Sequence, residues 1–237
     1  MRVVFVFSLI FASTLNLWSQ NDTLRNRRMV GNILTSSAFI VVGSSISGSA
    51  LEQNLKTNLR NAVGNDFEFE IENQLQYAPI VELYVADMLG IKARNHWFDQ
   101  TKYLLLANAS TSAITHLLKS LINKERPNGS SYSFPSGHTS FSFTNASVLR
   151  KEFQTTAPWF SYSGYLFSTT TGTMRMVNNK HWFSDVLVGA GIAMLVTELV
   201  YYYEPFKNFN PFKKTNNISL IPQIQQDTYS LYFNYQF

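Results

Sequence analysis

Cysteine is missing from all 237 residues, which excludes a disulfide framework, a thiolate metal site and an N-terminal lipoprotein attachment. Charge is scarce as well: Asp, Glu, Lys and Arg make up 14% of the chain, against 45% hydrophobic and 15% aromatic residues. Soluble domains carry about a quarter charged residues, so the balance leans towards a membrane or its surface, and a mean hydropathy of −0.08 keeps that lean mild. No Pro/Gly/Ser-rich linker divides the sequence, and one domain with a sizeable core is the expectation. A long basic run is also lacking. The net charge of +4 and pI near 9.2 come from scattered Lys and Arg, a pattern that suits phosphates or acidic lipid headgroups and speaks against nucleic acid as a partner.

What is present begins with "MRVVFVFSLIFASTLNLWSQND". One Arg, an apolar run from Val3 to Leu17 and small or polar residues before Asp22 form the three regions of a secretory signal peptide, expected at 1–20. A retained N-terminal anchor is the alternative; either way the rest is exported.

Met29 to Leu51 holds 23 residues without a charge, long enough to span a bilayer, yet its serines and glycines equally suit a helix packed closely on others. Leu51 to Asn73 reads as a polar connection with a turn at "VGND". Apolar periodicity then predicts helices over about Gln74–Leu89, Asp99–Lys124, Ser136–Phe153, Pro158–Val177 and Trp182–Tyr203. Pro205 and Pro211 stop any continuation. The last segment changes period: Tyr229, Leu231, Phe233, Tyr235 and Phe237 alternate with polar residues. With "ISLIPQI" and the polar "QQDT" turn they predict a hairpin, packed on the helical body, since two strands cannot close a barrel.

Three short motifs carry the chemistry. "KSLINKERP" sets Lys119 and Arg126 seven residues apart, on one face if the helix continues, with Pro127 ending it. A solvated basic face would look the same. "PSGH" follows: Pro135 stiffens the entry, Ser136 is a plausible N-cap, and Gly137 lets an oxyanion approach the free N–H groups of a helix start. His138 then stands in the first turn, where it can protonate a leaving oxygen. An ordinary capped helix with an exposed histidine is the competing view. In "MRMVNNKHWFSD", His181 and Asp185 are four apart; on one helix they share a face, the carboxylate fixes the tautomer, and the other ring nitrogen keeps a lone pair. A buried structural pair has the same spacing. Arg175 returns over the site through a turn at "VNN". His116 reads as a structural, hydrogen-bonded residue, and His96 receives no role.

Taken together, KxxxxxxRP, PSGH and RxxxxxHxxxD, in this order and with 36 residues between His138 and Arg175, resemble the signature of the phosphatidic acid phosphatase type 2 and vanadium haloperoxidase superfamily. The resemblance covers about Gln74 to Tyr203. One position departs from it: Met174 stands where the family usually has Ser.

The helical segments predict an all-α bundle of about five or six helices in which the three motifs meet as an active site at one end, plus the C-terminal β-hairpin. The chain then divides into the signal peptide at 1–20, a helical phosphatase domain at 21–210 with its motif core at 74–203, and the hairpin segment at 211–237. The resemblance implies that His181 is the nucleophile, Asp185 its orienting carboxylate and His138 the general acid. Lys119, Arg126, Ser136, Gly137 and Arg175 would bind phosphate, with no metal and no cofactor. The expected activity is a metal-independent phosphatase acting on a phosphomonoester or diphosphate through a phosphohistidine. The substrate would be a phosphorylated lipid or isoprenoid, such as undecaprenyl diphosphate, phosphatidylglycerol phosphate, phosphatidic acid or a lipid A phosphate, met at a membrane surface. The alternatives are a soluble periplasmic acid phosphatase and a haloperoxidase that would bind vanadate. The implied location is the bacterial cell envelope, in the periplasm or on the periplasmic face of a membrane.

Overall fold

A stripe of Met29, Ile33, Ser36 and Ile40, spaced by three or four residues, is buried along the first helix, α1 (Thr23–Ile46), as helical periodicity requires. The computed structural model describes residues 23–211, 218–225 and 228–235, so the expected signal peptide lies outside the described residues. Helix α2 (Ala50–Val63) follows within the stretch expected to be a polar connection. Its start was legible in "SALE": Ser49 Oγ accepts the Glu52 N–H at 3.3 Å, one half of a capping box. Gly64, at φ 90°, ends it at the expected turn.

The helix expected over Gln74–Leu89 divides into a single turn, α3 (Glu72–Leu75), and α4 (Ala78–Met88), which has Pro79 in its first turn. Then come α5 (Trp97–Ile122), α6 (Gly137–Phe153), α7 (Pro158–Ser161), α8 (Ser163–Val177) and α9 (Phe183–Tyr203). The chain is therefore all-α in its body, with more segments than five or six because Tyr77 and Tyr162 interrupt two of the expected helices.

Helix α6 is the centre of the bundle and packs on α5, α8 and α9. Leu83, Tyr103, Leu104, Val148, Leu149, Phe153 and Tyr201 form the main apolar cluster, each fully buried side chain contributing about 1.5–3 kcal/mol. The polar residues of α6 are buried too and find partners nearby: Ser142 Oγ donates to Ser168 Oγ at 2.8 Å, and Thr144 Oγ1 donates to Ser140 O at 2.8 Å. This is why a helix of low hydropathy can occupy the core.

Helices α1 and α9 run antiparallel at close quarters. A Cβ at Gly43 would stand 2.7 Å from Val188, and one at Gly191 would stand 2.7 Å from the Ser36 carbonyl oxygen. The small residues of α1 thus serve packing. Two helices among the described residues are long and apolar enough to cross a bilayer, Asn26–Ile46 and Phe183–Tyr203. The apolar stretch of the second is 72% buried inside the bundle.

Residues to Tyr203 form one compact unit and those from Glu204 a second. In the second unit β1 (Ile218–Gln225) pairs antiparallel with β2 (Thr228–Tyr235), with Ile218 opposite Tyr235 and Gln225 opposite Thr228. Gln226 and Asp227 of the expected turn lie outside the described residues.

Candidate active site

All three motifs meet at the N-terminal mouth of α6. Ser136 caps the helix: its Oγ accepts the Thr139 N–H at 3.5 Å and the Thr139 hydroxyl at 2.9 Å. Its own N–H is not offered to a ligand, because it donates to the Asp185 carbonyl oxygen at 3.0 Å. The N–H groups of Gly137 and His138 have no acceptor among the described residues, which leaves them open to a ligand at this helix start. Gly137 keeps the approach open; a Cβ there would face Lys119 Cε at 3.9 Å.

Lys119 and Arg126 do not share a helical face. Helix α5 stops at Ile122 because Asn123 adopts a left-handed conformation, φ 46°, and its N–H donates to the Lys119 carbonyl oxygen. Pro127 lies beyond that stop. Arg126 belongs to a loop closed by its N–H on Ser130 O at 2.7 Å and by the Gly129 N–H on Arg126 O at 2.9 Å. The loop returns to the helix, where Lys119 Nζ donates to Tyr132 O at 2.7 Å and Ser133 O at 3.3 Å. Arg126 Nε and Arg175 Nε are both buried without a protein acceptor.

The third motif also folds differently from a continuous helix. After α8, Asn179 turns left-handed at φ 56°, and the N–H groups of Lys180 and His181 both donate to the Arg175 carbonyl oxygen, at 3.0 and 3.1 Å. This turn sets Arg175 over the site and leaves His181 ahead of α9. Asp185 sits in the first turn of α9, where its Oδ2 accepts the Trp182 N–H at 2.9 Å and faces His181 Nδ1 at 3.4 Å. The Ser133 hydroxyl donates to the same Asp185 oxygen. The His181–Asp185 pair is thus made by a helix cap rather than by two positions on one helix. With Nδ1–H turned to the carboxylate, the lone pair is left on Nε2.

The electrostatics follow from burial among cations. Burial, reinforced by Arg126 and Arg175, pulls the Lys119 ammonium down to about 8. His138 is lowered to about 4 by burial and by Arg175, and His181 is lowered to about 4 chiefly by burial, against the pull of Asp185. Both imidazoles are therefore neutral at neutral pH. Lys119 and Arg175 thus act on both histidines, and Arg126 acts on Lys119 and His138.

Several residues of the site were not anticipated. Glu72, wholly buried, accepts from Arg175 Nη1 at 3.3 Å and from Asn178 Nδ2 at 2.9 and 3.0 Å. Asn178 also bonds both backbone groups of Phe69, at 3.1 and 3.0 Å, and Lys180 pairs with Glu68 at 2.6 Å and Glu70 at 3.4 Å. The acidic run "DFEFEIEN" is thereby fastened along the Arg175 turn. Its last residue, Asn73, accepts through Oδ1 from His138 Nε2 at 3.1 Å. On the other side Lys124 Nζ bridges Asp185 Oδ1 at 3.1 Å, Ser184 Oγ at 2.8 Å and Glu52 at 3.2 Å. Only the capping box announced Glu52. The acidic run was visible, but nothing in it named partners more than a hundred residues away. His116, expected to be a structural, hydrogen-bonded residue, is exposed, and His96 caps α5 by accepting the Phe98 N–H at 3.3 Å.

An all-α bundle thus gathers three cations and two free N–H groups around a histidine backed by aspartate, an arrangement with the charge and the donors to hold an oxyanion. The PAP2 superfamily profile matches residues 100–209, which include all three motifs, and the chain belongs to that superfamily. It is 33% identical over 162 residues to a lipid A 1-phosphatase of Porphyromonas gingivalis, an alignment covering 66% of this chain and 36% of that protein. The chain therefore spans about a third of the length of that relative. Its fold is shared with Aquifex aeolicus LpxE, at a TM-score of 0.51 and 23% identity over 67% of this chain and 99% of that one. It is shared too with the first transmembrane PAP2 type phosphatidylglycerolphosphate phosphatase from Bacillus subtilis, at a TM-score of 0.55 and 18% identity over 77% of this chain and 99% of that one.

Proposed function

We propose that the chain is a phosphatase that cleaves a phosphomonoester or diphosphate of a lipid through a phosphohistidine on His181, without a metal. The observation that carries this reading is His181 itself: a buried, neutral imidazole held at Nδ1 by Asp185, in the field of Lys119 and Arg175. In the first step Nε2 attacks phosphorus, the P–N bond forms, and the P–O bond to the leaving group breaks. The departing oxygen takes its proton from His138, which in the second step removes a proton from water as the water oxygen displaces His181. Lys119, Arg126, Arg175 and the N–H groups of Gly137 and His138 stabilise the equatorial oxygens of both transition states. Three cations supply the charge that a metal supplies elsewhere.

A free-site His138 lowered to about 4 cannot be the source of the proton at neutral pH unless the ligand changes it. A bound phosphate does so, because its negative charge raises the pKa of an adjacent imidazole. A monoanionic ester brings the proton directly.

The lipid nature of the substrate is supported by the two long apolar helices and by the likeness to the Porphyromonas gingivalis lipid A 1-phosphatase. A lipid A phosphate is accordingly the first substrate to assay, with undecaprenyl diphosphate, phosphatidic acid and phosphatidylglycerol phosphate beside it. The N-terminal charge and apolar pattern support export, with the site in the periplasm or on the periplasmic face of a membrane. The test is phosphate release by purified protein in detergent and EDTA. Release from one lipid that is lost in His181→Ala, with phosphate label trapped on the wild-type chain after quench in alkaline denaturant, is the expected result. Full activity in His181→Ala removes the assignment.

A further inference from the structure

At the far end of α6 from the cradle, 14 residues and about 21 Å along the helix from Ser136, a second site is built that the mechanism does not use. A cavity of about 390 Å³ is walled by Phe39 of α1, Phe143 of α6 and Met194 of α9, among others. Its volume falls in the range of small-molecule sites. One end is polar. Arg150 and Lys151, the last-turn cations of α6, meet Glu198 of α9 and Asn32 of α1 there. Lys151 Nζ pairs with Glu198 at 2.6 Å, and Asn32 Nδ2 donates to the same carboxylate at 2.9 Å. Arg150 Nη2 donates to Asn32 Oδ1 at 3.0 Å, and its guanidinium lies over the Tyr162 ring at 5.3 Å.

The charges do not balance. Two cations line the cavity against one carboxylate, and Lys151 takes that carboxylate. Arg150 makes no ion pair among the described residues, and its Nε is buried without an acceptor. A buried donor on a desolvated cation is costly to leave unmet, and arginine's fork matches a phosphate or carboxylate. Away from that end the wall carries Phe39, Phe143 and Met194 beside the small hydroxyl residues Ser36, Ser147 and Thr197, and it includes Tyr162, which is 53% exposed. A small hydrated anion would fill only the polar end.

We propose that this cavity binds a membrane lipid with an anionic headgroup, Arg150 pairing with the headgroup and the wall of Phe39, Phe143 and Met194 holding the start of its apolar chain. The site is separate from the His181 cradle, and the proposal stands whether or not the chain is a phosphatase.

Native mass spectrometry of the full chain released from detergent micelles tests it, with phosphatidylglycerol, phosphatidylcholine or inorganic phosphate added. Phosphatidylglycerol is a phosphodiester and is not consumed by a phosphomonoesterase. The wild type should retain one phosphatidylglycerol and no phosphatidylcholine. Arg150→Gln should weaken retention at least tenfold, while Arg150→Lys should keep most of it. Thr35→Trp, at an exposed position on the rim whose hydroxyl bonds only the local Gly31 carbonyl, should block entry without touching the charges, so a poorly folding Arg150→Gln does not leave the question open. Retention should persist in His181→Ala. Equal retention of phosphatidylcholine, unchanged retention in both Arg150→Gln and Thr35→Trp, displacement by inorganic phosphate, or loss of the lipid in His181→Ala would each overturn the proposal.

Discussion

The backbone N–H of Ser136 donates to the carbonyl oxygen of Asp185 at 3.0 Å, so the start of α6 and the first turn of α9 are bonded to each other directly. His138 and the His181–Asp185 pair keep their separation through that one bond and through the packing beside it. Gly189 makes the packing possible, since a Cβ at this position would stand 2.8 Å from Ser136 O and 3.0 Å from Ser140 Oγ.

Gly189→Ala should therefore lower both activity and stability. Alanine gains about 1 kcal/mol of helix propensity over glycine, but overpacking against backbone costs about 1–3 kcal/mol, and the displaced mouth of α6 moves His138. A melting temperature and kcat that both match the wild type would show that the two helices can part without consequence.

Replacing Asp185 by Asn keeps the size of the side chain and removes the charge that orients His181. The expected loss in kcat is about 10²–10⁴-fold, with KM little changed, because the substrate is held by the cations. Stopped-flow measurement of the phosphohistidine burst separates this from a fault in hydrolysis.

Glu72→Ala leaves Arg175 and Asn178 without their buried acceptor. Breaking such a pair costs about 3–5 kcal/mol, seen as a lower denaturation midpoint. Because Glu72 holds Arg175 rather than substrate, KM should rise more than kcat falls, and Glu72→Asp should recover part of the affinity.

The pH profile has a defined sign. His181 must be neutral to attack, and with its pKa lowered to about 4 it is neutral over nearly the whole accessible range, so the acid limb of kcat/KM lies near that value. His138, also lowered to about 4 in the free site, loses its proton as pH rises, and substrate phosphate loses its second at about 6. The optimum of kcat/KM should consequently be acidic. Asn73→Asp sets a carboxylate 3.1 Å from His138 Nε2 in place of the amide oxygen, which should move the alkaline limb up by about one unit or more.

Lys124→Met tests the outer side of the site. Lys124 is shared by Asp185 and Glu52, whose carboxylates are buried at 0% and 2% exposure. Removing it should destabilise the chain by about 3–5 kcal/mol, and Glu52→Gln in the same background should restore part of the loss. A double-mutant cycle in urea measures the coupling.

The sequence by itself determined the helical body, the capped start of α6 at "PSGH" and the residues of the three motifs, because capping, left-handed turns and apolar periodicity act over a few residues. It misjudged how two motifs are built. Lys119 and Arg126 appeared to share a helix, since spacing alone cannot reveal that Asn123 turns the chain left-handed; the turn at "VNN" was legible, but not that the following helix starts only at Phe183, which leaves His181 outside it. It was silent on Glu72 with Arg175, Asn73 with His138, Lys124 with Asp185, and Arg150 as a cation without a carboxylate. Those relationships join positions 61 to 118 residues apart, or depend on which carboxylate a neighbour has already taken. Only the packing of α1, α3, α6, α8 and α9 decides them, because charge and hydrogen bonding depend on distance in space, and the local pattern of residues does not fix that distance.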